Sequence, residues 1–227
     1  MKLNFDSIIF EAVIFGRTLD QTVIRIHSDA YGALTSAFEK QREALEDWSE
    51  SDAGVSRGQY EDYITEEYMI QVRALATMTF TLMETQLLGF LKANGAFLAR
   101  YFQREKEQYG SRASLLRVIA EYDERYGIKL EGLPGFETCR EVVLARNACV
   151  HGACTPTEDY MQQTARRFLG DDGLLFLTQE ILTHATDDLK RFASALAEVT
   201  RERIDAVKGM EAATSHRVAV AVRGDFK

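Results

Sequence analysis

One short stretch of the chain combines side chains that can act on a phosphate. Asn147 follows Arg146 directly, and His151 comes five residues after the arginine, immediately before Gly152. A guanidinium can hold a phosphate through two parallel hydrogen bonds, and an imidazole gains or loses a proton near neutral pH. These residue types predict an anion-binding site that carries a general acid or base.

Other reactive patterns are missing from the sequence. It contains no phosphate-binding glycine loop, no pair of metal-binding histidines and no nucleophile elbow. Three cysteines without a Cys-x-x-Cys pair indicate neither a disulfide framework nor a zinc site. We therefore expect no metal and no cofactor. We expect His27, His184 and His216 to be surface residues or buried residues with ordinary partners.

A predicted helix over 136–151 carries the motif near its end. The sequence Gly-Leu-Pro-Gly at 132–135 breaks the chain before this helix, and Gly152 and Pro156 end it. The helix dipole favours a cation at the C-terminus, which stabilises the protonated form of a histidine there. This place in the chain suits the binding of an anion.

The geometry of an ideal helix separates two of the three motif side chains. Asn147 and His151 share a face, whereas Arg146 lies about 140° around the axis from His151. Fraying of the helix after Val150 would bring the arginine and the histidine into one groove. Pairing of two copies of the helix across a two-fold axis would do the same.

Helical patterns fill most of the remaining chain. Only two prolines and 15 glycines interrupt 227 residues, of which 46% are hydrophobic, and this favours a mostly all-α bundle of long helices. Further helices are predicted over about 17–48, 60–108, 111–127 and 178–207. Ser111 is the predicted N-cap of the third. The predicted core positions of the second are Ile70, Leu75, Met78, Leu82, Leu87, Leu91 and Phe97.

A small β-hairpin is predicted near 164–177, because apolar segments flank a Gly-Asp-Asp-Gly turn at 170–173. The whole chain, 1–227, is predicted to form a single domain with a helical extension over 1–58. The tail over 209–227 is expected to be flexible, either as frayed chain or with a short strand at 218–222.

No segment has the composition of a signal peptide or a bilayer span. The start of the chain is interrupted by Asp6 and Glu11, and the apolar stretch over 74–91 contains Glu84. We expect a cytoplasmic protein with reduced cysteines and no membrane partner.

The overall charge restricts the ligands that the chain can bind. A net charge of −8 argues against a protein that coats duplex DNA, because such binding requires many lysines and arginines. A local basic patch is compatible with this charge, since three arginines lie close in sequence to the motif and the hairpin. The predicted phosphate-binding residues are therefore Asn147, Arg140, Arg166 and Arg167.

The stretch Arg146-Asn147-Ala148-Cys149-Val150-His151-Gly152 resembles the Arg-x(4–6)-His motif of the HEPN superfamily, helical domains that often bind nucleotides or cleave RNA. In that family the residue after the arginine is typically polar and often Asn, and an aliphatic residue often precedes the histidine, as in this chain. The long helices before the motif and the predicted hairpin and helix after it are also similar to family members.

The resemblance implies a metal-independent endoribonuclease whose active site lies at a homodimer interface. His151 would act as general base or acid on the RNA 2′-hydroxyl or leaving oxygen, and Arg146 would stabilise charge on the phosphate. Asn147 would orient or contact the RNA backbone, and the products would carry a 2′,3′-cyclic phosphate. Many relatives are toxins of toxin–antitoxin or anti-phage defence systems, which implies an antitoxin or regulatory protein as a further partner.

Two other interpretations stay open. In the first, Arg146 pairs with Glu137 or Glu141, and His151 only caps the helix. In the second, the chain is a catalytically inactive, HEPN-like helical module that binds a nucleotide or another protein. Two motif helices that meet across a positively charged cleft would favour the enzyme.

Overall fold

A computed structural model describes residues 6–46, 56–102 and 115–224, and in these ranges the fold is all-α, as predicted. The helices are α1 (Asp6–Thr18), α2 (Arg25–Ala44), α3 (Arg57–Tyr101), α4 (Leu115–Tyr126), α5 (Phe136–Gly152), α6 (Glu158–Gln163) and α7 (Gln179–Gly224). A π-helical turn, Leu19–Ile24, joins α1 to α2, and a 3₁₀ turn, Leu130–Gly132, precedes α5. The end predicted for α3 near 108 and the predicted cap at Ser111 lie outside the described residues.

The first helix begins earlier than the sequence pattern predicts. It starts at Asp6 rather than near 17, and it packs against α3 and α7. Ile8 and Phe15 of α1 are buried in the same hydrophobic core as the rest of the bundle. Burial of these side chains stabilises a helical turn that the local charge pattern alone does not predict.

Helix α3 is the central helix of the bundle, and the prediction of its buried face is partly wrong. Leu75, Leu87 and Leu91 are buried as predicted, but the side chains of Ile70 and Met78 are 57% and 42% exposed. Apolar residues occur on every side of α3, so periodicity does not identify the side that faces the core. Two further predicted positions are partly buried against the core: Leu82 and Phe97.

By length and composition, Arg57–Ala99 of α3 could also cross a bilayer, with 44% of its most apolar window buried inside the bundle. The same composition is typical of the core helix of a bundle.

The segment between α6 and α7 forms a turn rather than two strands. Only an isolated antiparallel bridge joins Leu169 and Leu175 in the described residues. The predicted hairpin at 164–177 is therefore wrong in extent. The backbone N–H groups of Arg167 and Phe168 donate to the Glu141 carboxylate and the Tyr160 hydroxyl. These two N–H groups are therefore not available for hydrogen bonds to a second strand.

Helix α7 continues to Gly224, so the strand predicted at 218–222 is wrong. Neither Gly nor Pro interrupts the chain between Gly209 and Gly224. The helix therefore meets no residue that would break it before its end.

His27 is buried between α2 and α3, with 2% of its surface exposed. Its Nδ1 atom lies 3.0 Å from Oγ1 of Thr79, whose own hydroxyl donates to the Leu75 carbonyl. The imidazole therefore donates this hydrogen bond, and its ring stacks on Tyr31. Burial lowers the pKa of His27, against the raising effect of a backbone hydrogen bond at Leu177.

We expect His27 to make the protein less stable as the pH falls below about 6.5, the usual histidine pKa. Above that pH both the folded and the unfolded state hold a neutral imidazole. Below that pH the unfolded chain binds a proton at His27 and the folded chain does not. The free energy of unfolding then falls by at most about 1.4 kcal/mol per pH unit until the lowered pKa is reached. Urea unfolding at several pH values should show this slope reduced in His27→Gln. An unchanged slope in this variant, or an equal reduction in the exposed control His184→Gln, would contradict the prediction.

Candidate functional site

Helix α5, which carries the motif, is fixed at its beginning against α7. Gly135 precedes the helix with a φ of 83° and lies so close to α7 that an added Cβ would stand 2.1 Å from the Asp188 carbonyl oxygen. The Thr138 hydroxyl donates to Oδ2 of Asp188 at 2.7 Å. These contacts determine where the helix starts and therefore where its last turn lies.

The last turn of α5 is regular through Gly152, and the helix ends where Ala153 and Cys154 adopt left-handed backbone angles, with φ of 51° and 66°. The helix does not fray after Val150. Arg146 and His151 are consequently about 140° apart around one axis and about 7.5 Å apart along it. Within one chain, the backbone does not bring both side chains to the same face.

Arg146 is held on the side of α5 that faces α3. Its Nε atom lies 3.2 Å from Oε2 of Glu84, and its Nη1 atom donates to Oδ1 of Asn147 at 3.0 Å. Burial raises the pKa of Glu84, and the nearby Arg146 charge acts in the opposite direction. Arg146 pairs with a residue of α3, and not with Glu137 or Glu141 of its own helix.

His151 is exposed at the end of α5. Within the described residues it has no hydrogen bond and no ion pair, and no capping bond from its ring to the helix carbonyls is present. Its neighbour Val150 is 44% exposed. The imidazole is therefore accessible to a ligand that approaches this end of the helix.

The three other predicted phosphate-binding arginines contact groups of the fold itself. Arg140 pairs with Glu131 and Glu137, at 3.3 and 3.7 Å, and lies over the Phe136 ring. The Arg166 Nε atom donates to the Met161 carbonyl at 3.0 Å.

Arg167 pairs with Glu141, at 3.4 Å, and with Asp188. Since Glu141 lies about 140° around α5 from Arg146, the structure does not gather Arg167 with the motif. Of the predicted phosphate-binding residues, the one in contact with Arg146 is Asn147.

Glu141 is completely buried and forms a polar network that the sequence patterns did not indicate. The Tyr160 hydroxyl donates to its Oε1 atom at 2.8 Å, and the Arg167 backbone N–H donates to the same atom at 2.6 Å. Burial, followed by the nearby Glu141 charge, raises the pKa of Tyr160. The network attaches α6 and the following turn to α5, and it occupies Arg167 with a structural role.

Helices α3 and α5 are antiparallel, because Arg146 contacts Glu84 whereas Cys154 contacts Thr77. Each of the two helices carries exposed large hydrophobic side chains, Ile70 and Met78 on α3 and Val150 on α5.

Glu84, like Glu141, was not predicted from sequence as a residue of the site. It is the one charged residue within the apolar stretch over 74–91. A buried or half-buried charge in such a stretch requires a partner of opposite charge. A single charged residue in an apolar stretch is therefore the sequence pattern that could have identified Glu84.

No protein-family model, no curated protein and no solved structure matches the chain. The resemblance to the HEPN superfamily is carried by the motif residues and by the long helices before them, since the segment predicted as a hairpin after the motif forms only an isolated bridge.

Proposed function

We propose that the protein is a metal-independent endoribonuclease of the HEPN type that acts as a homodimer. The observation that carries this proposal is the arrangement at the end of α5. Arg146 is hydrogen-bonded to Asn147, and His151 is exposed and without a partner in the described residues. These groups can bind a phosphodiester and transfer a proton.

The proposed reaction is an attack of the RNA 2′-hydroxyl oxygen on the adjacent phosphorus. A neutral His151 ring takes the hydroxyl proton, and a protonated ring supplies a proton to the departing 5′ oxygen. Arg146 stabilises the negative charge that accumulates on the phosphoryl oxygens, and Asn147 orients the guanidinium. The products are a 2′,3′-cyclic phosphate and a 5′-hydroxyl end.

A second copy of the chain would supply the missing geometry. Because α5 is regular through Gly152, Arg146 and His151 of one chain point in different directions. A two-fold axis beside α5 would place His151 of one copy opposite Arg146 of the other.

The Glu84–Arg146 ion pair sets a condition on substrate binding. Oε2 of Glu84 lies 3.2 Å from the Arg146 Nε atom. An RNA phosphate would have to compete with this carboxylate for the arginine. The competition favours substrates that gain further contacts with the protein.

A heterodimer of two inactive variants tests both the catalytic residues and the dimer. We expect homodimers of Arg146→Ala and of His151→Ala to be inactive, while a purified heterodimer of the two regains about half of the wild-type activity. One of its two composite sites would combine an intact Arg146 with an intact His151. The measurement is cleavage of mixed cellular RNA in EDTA.

The matched control is a heterodimer of the wild-type chain with the double variant Arg146→Ala and His151→Ala. If each site takes its residues from two chains, this control has no complete site and stays inactive. Half activity in the control and none in the first heterodimer would show that one chain supplies both residues. That result would overturn the composite site.

The alternative function is a helical binding module without catalysis. The observation that favours it is that Arg146, Arg140 and Arg167 already pair with carboxylates. Binding of RNA or a protein partner, without cleavage by the wild-type chain in the same assay, would support this alternative. An antitoxin or regulatory protein is a proposed partner under both functions.

A further inference from the structure

Arg73 lies on α3 beside the end of the motif helix. The Cys154 thiol donates to the Arg73 carbonyl oxygen, with 3.7 Å between sulfur and oxygen. The Oγ1 atom of Thr77, one turn further along α3, lies 3.7 Å from the same sulfur. Cys154 is the second residue after α5 and follows His151 by three positions. The Arg73 backbone is therefore next to the chain that leaves the proposed site.

The Arg73 side chain starts on the side of α3 that faces α5. Arg73 precedes Thr77 by four residues and Glu84 by eleven, so these three positions lie within about 40° of each other around the helix axis. Thr77 contacts Cys154, and Glu84 pairs with Arg146. Both contacts are with α5 or the residue pair that follows it. Arg73 is half-buried on this side of α3.

The Arg73 guanidinium has no protein partner within the described residues. It makes no ion pair there, and none of its N–H groups donates to a side chain or to a carbonyl at the end of α5. Its Nε atom is buried without a hydrogen bond. The neighbours three and four positions away on α3 are Met69, Ile70, Ala76 and Thr77, which offer no carboxylate. A half-buried cation without a counterion destabilises the free protein, and an anion that binds there removes this cost.

The arginines closer to the motif in sequence differ from Arg73 in this respect. Arg140 and Arg146 of α5 each pair with a carboxylate, and so does Arg167. A phosphate that approaches one of these three arginines must compete with that carboxylate. At Arg73 no carboxylate of the described residues competes, and a guanidinium can donate two parallel hydrogen bonds to a phosphate.

We infer that Arg73 binds a phosphate of the RNA strand other than the one at which the strand is cleaved. Glu84, the partner of Arg146, lies about 16 Å from Arg73 along α3, because eleven residues of a helix span this length. The two arginines therefore contact different phosphates of one strand that runs along α3 and α5. Cationic side chains that follow the backbone in this way are typical of single-strand binding. The inference rests on the proposed function for the identity of its ligand, RNA.

Binding of a strand that cannot be cleaved tests the inference apart from catalysis. The probe is a fluorescein-labelled 2′-O-methyl oligouridylate of about twelve nucleotides, which keeps the phosphates but lacks the hydroxyl that attacks in the proposed reaction. We expect Arg73→Gln to raise the Kd, measured by fluorescence anisotropy, about tenfold, the effect of losing a charge-assisted hydrogen bond. The slope of log Kd against log salt concentration should fall by about 0.7, because one phosphate contact of a single strand is lost.

Two variants and a melting curve separate binding from a structural role. Arg73→Lys keeps the charge and should keep the wild-type salt slope. Arg201→Gln is the matched control, since Arg201 of α7 is an exposed arginine that also has no ion pair within the described residues, and it should keep the wild-type Kd. The melting temperature of Arg73→Gln should equal or exceed that of the wild type, because no partner is left unpaired. A lower melting temperature would indicate a partner in the fold and would overturn the inference.

The same measurements distinguish failure of the inference from failure of the proposed function. An unchanged Kd and salt slope in Arg73→Gln would overturn the inference even if the wild-type chain cleaves RNA. Binding that depends on Arg73, without cleavage of mixed cellular RNA in EDTA, would support the inference and contradict the enzyme. A wild-type chain that does not bind the oligonucleotide would overturn the inference as well.

Discussion

His151→Ala is expected to slow RNA cleavage by about 10²–10⁴-fold, the usual effect of losing a general acid or base. The same substitution should change the free energy of unfolding by no more than about 0.5 kcal/mol, since an exposed side chain without partners contributes little packing. His151 is exposed and has no hydrogen bond or ion pair within the described residues. Loss of activity with unchanged stability would therefore identify a chemical role for the imidazole.

The assay compares both proteins, prepared identically, on mixed cellular RNA in EDTA, together with urea unfolding. His184→Ala is the matched control. Its imidazole is also exposed on a helix, with 75% of the side chain accessible, but it lies beside Glu180 on α7. We expect this control to keep full activity. Equal cleavage by the wild type and His151→Ala would point to a contaminating nuclease, and a large loss of stability would indicate a structural role for His151.

The position of the motif could be predicted from sequence because local rules determine it. Gly135 and Gly152 mark the ends of α5 in the sequence, and the structure confirms a helix over Phe136–Gly152. The angular separation of Arg146 and His151 follows from the helix geometry alone. The sequence did not show whether α5 frays after Val150 or pairs with α5 of a second copy. That choice depends on how the last turn of α5 packs against α3.

The partners of the site residues required the tertiary structure. Glu84 is 62 residues before Arg146 in the chain, and only the antiparallel packing of α3 and α5 brings them together. The end of α5 depends on the left-handed Ala153, an angle that a non-glycine residue rarely adopts. The hairpin prediction was wrong in extent because Glu141 of α5 and Tyr160 of α6 accept the backbone hydrogen bonds of Arg167 and Phe168. Long-range contacts decided each of these points.

Gly135→Ala is expected to destabilise the protein by about 2–5 kcal/mol. Its left-handed backbone, with φ of 83°, costs an alanine about 1–2 kcal/mol. The new Cβ would also lie 2.1 Å from the Asp188 carbonyl oxygen and 3.2 Å from the Phe192 Cβ. Helix α5 would have to move away from α7 to relieve this overlap, which adds about 1–3 kcal/mol. Urea unfolding measures the loss.

Gly173→Ala separates the two contributions. Gly173 also has a left-handed backbone, with φ of 76°, but no atom lies within 4 Å of the position that an added Cβ would take. This control should lose only the backbone cost of about 1–2 kcal/mol. A similar loss in both variants would show that α5 tolerates displacement from α7. If the helix start positions the motif, Gly135→Ala should lower RNA cleavage under conditions in which it is still folded, whereas Gly173→Ala should not, because Gly173 lies in the turn before α7.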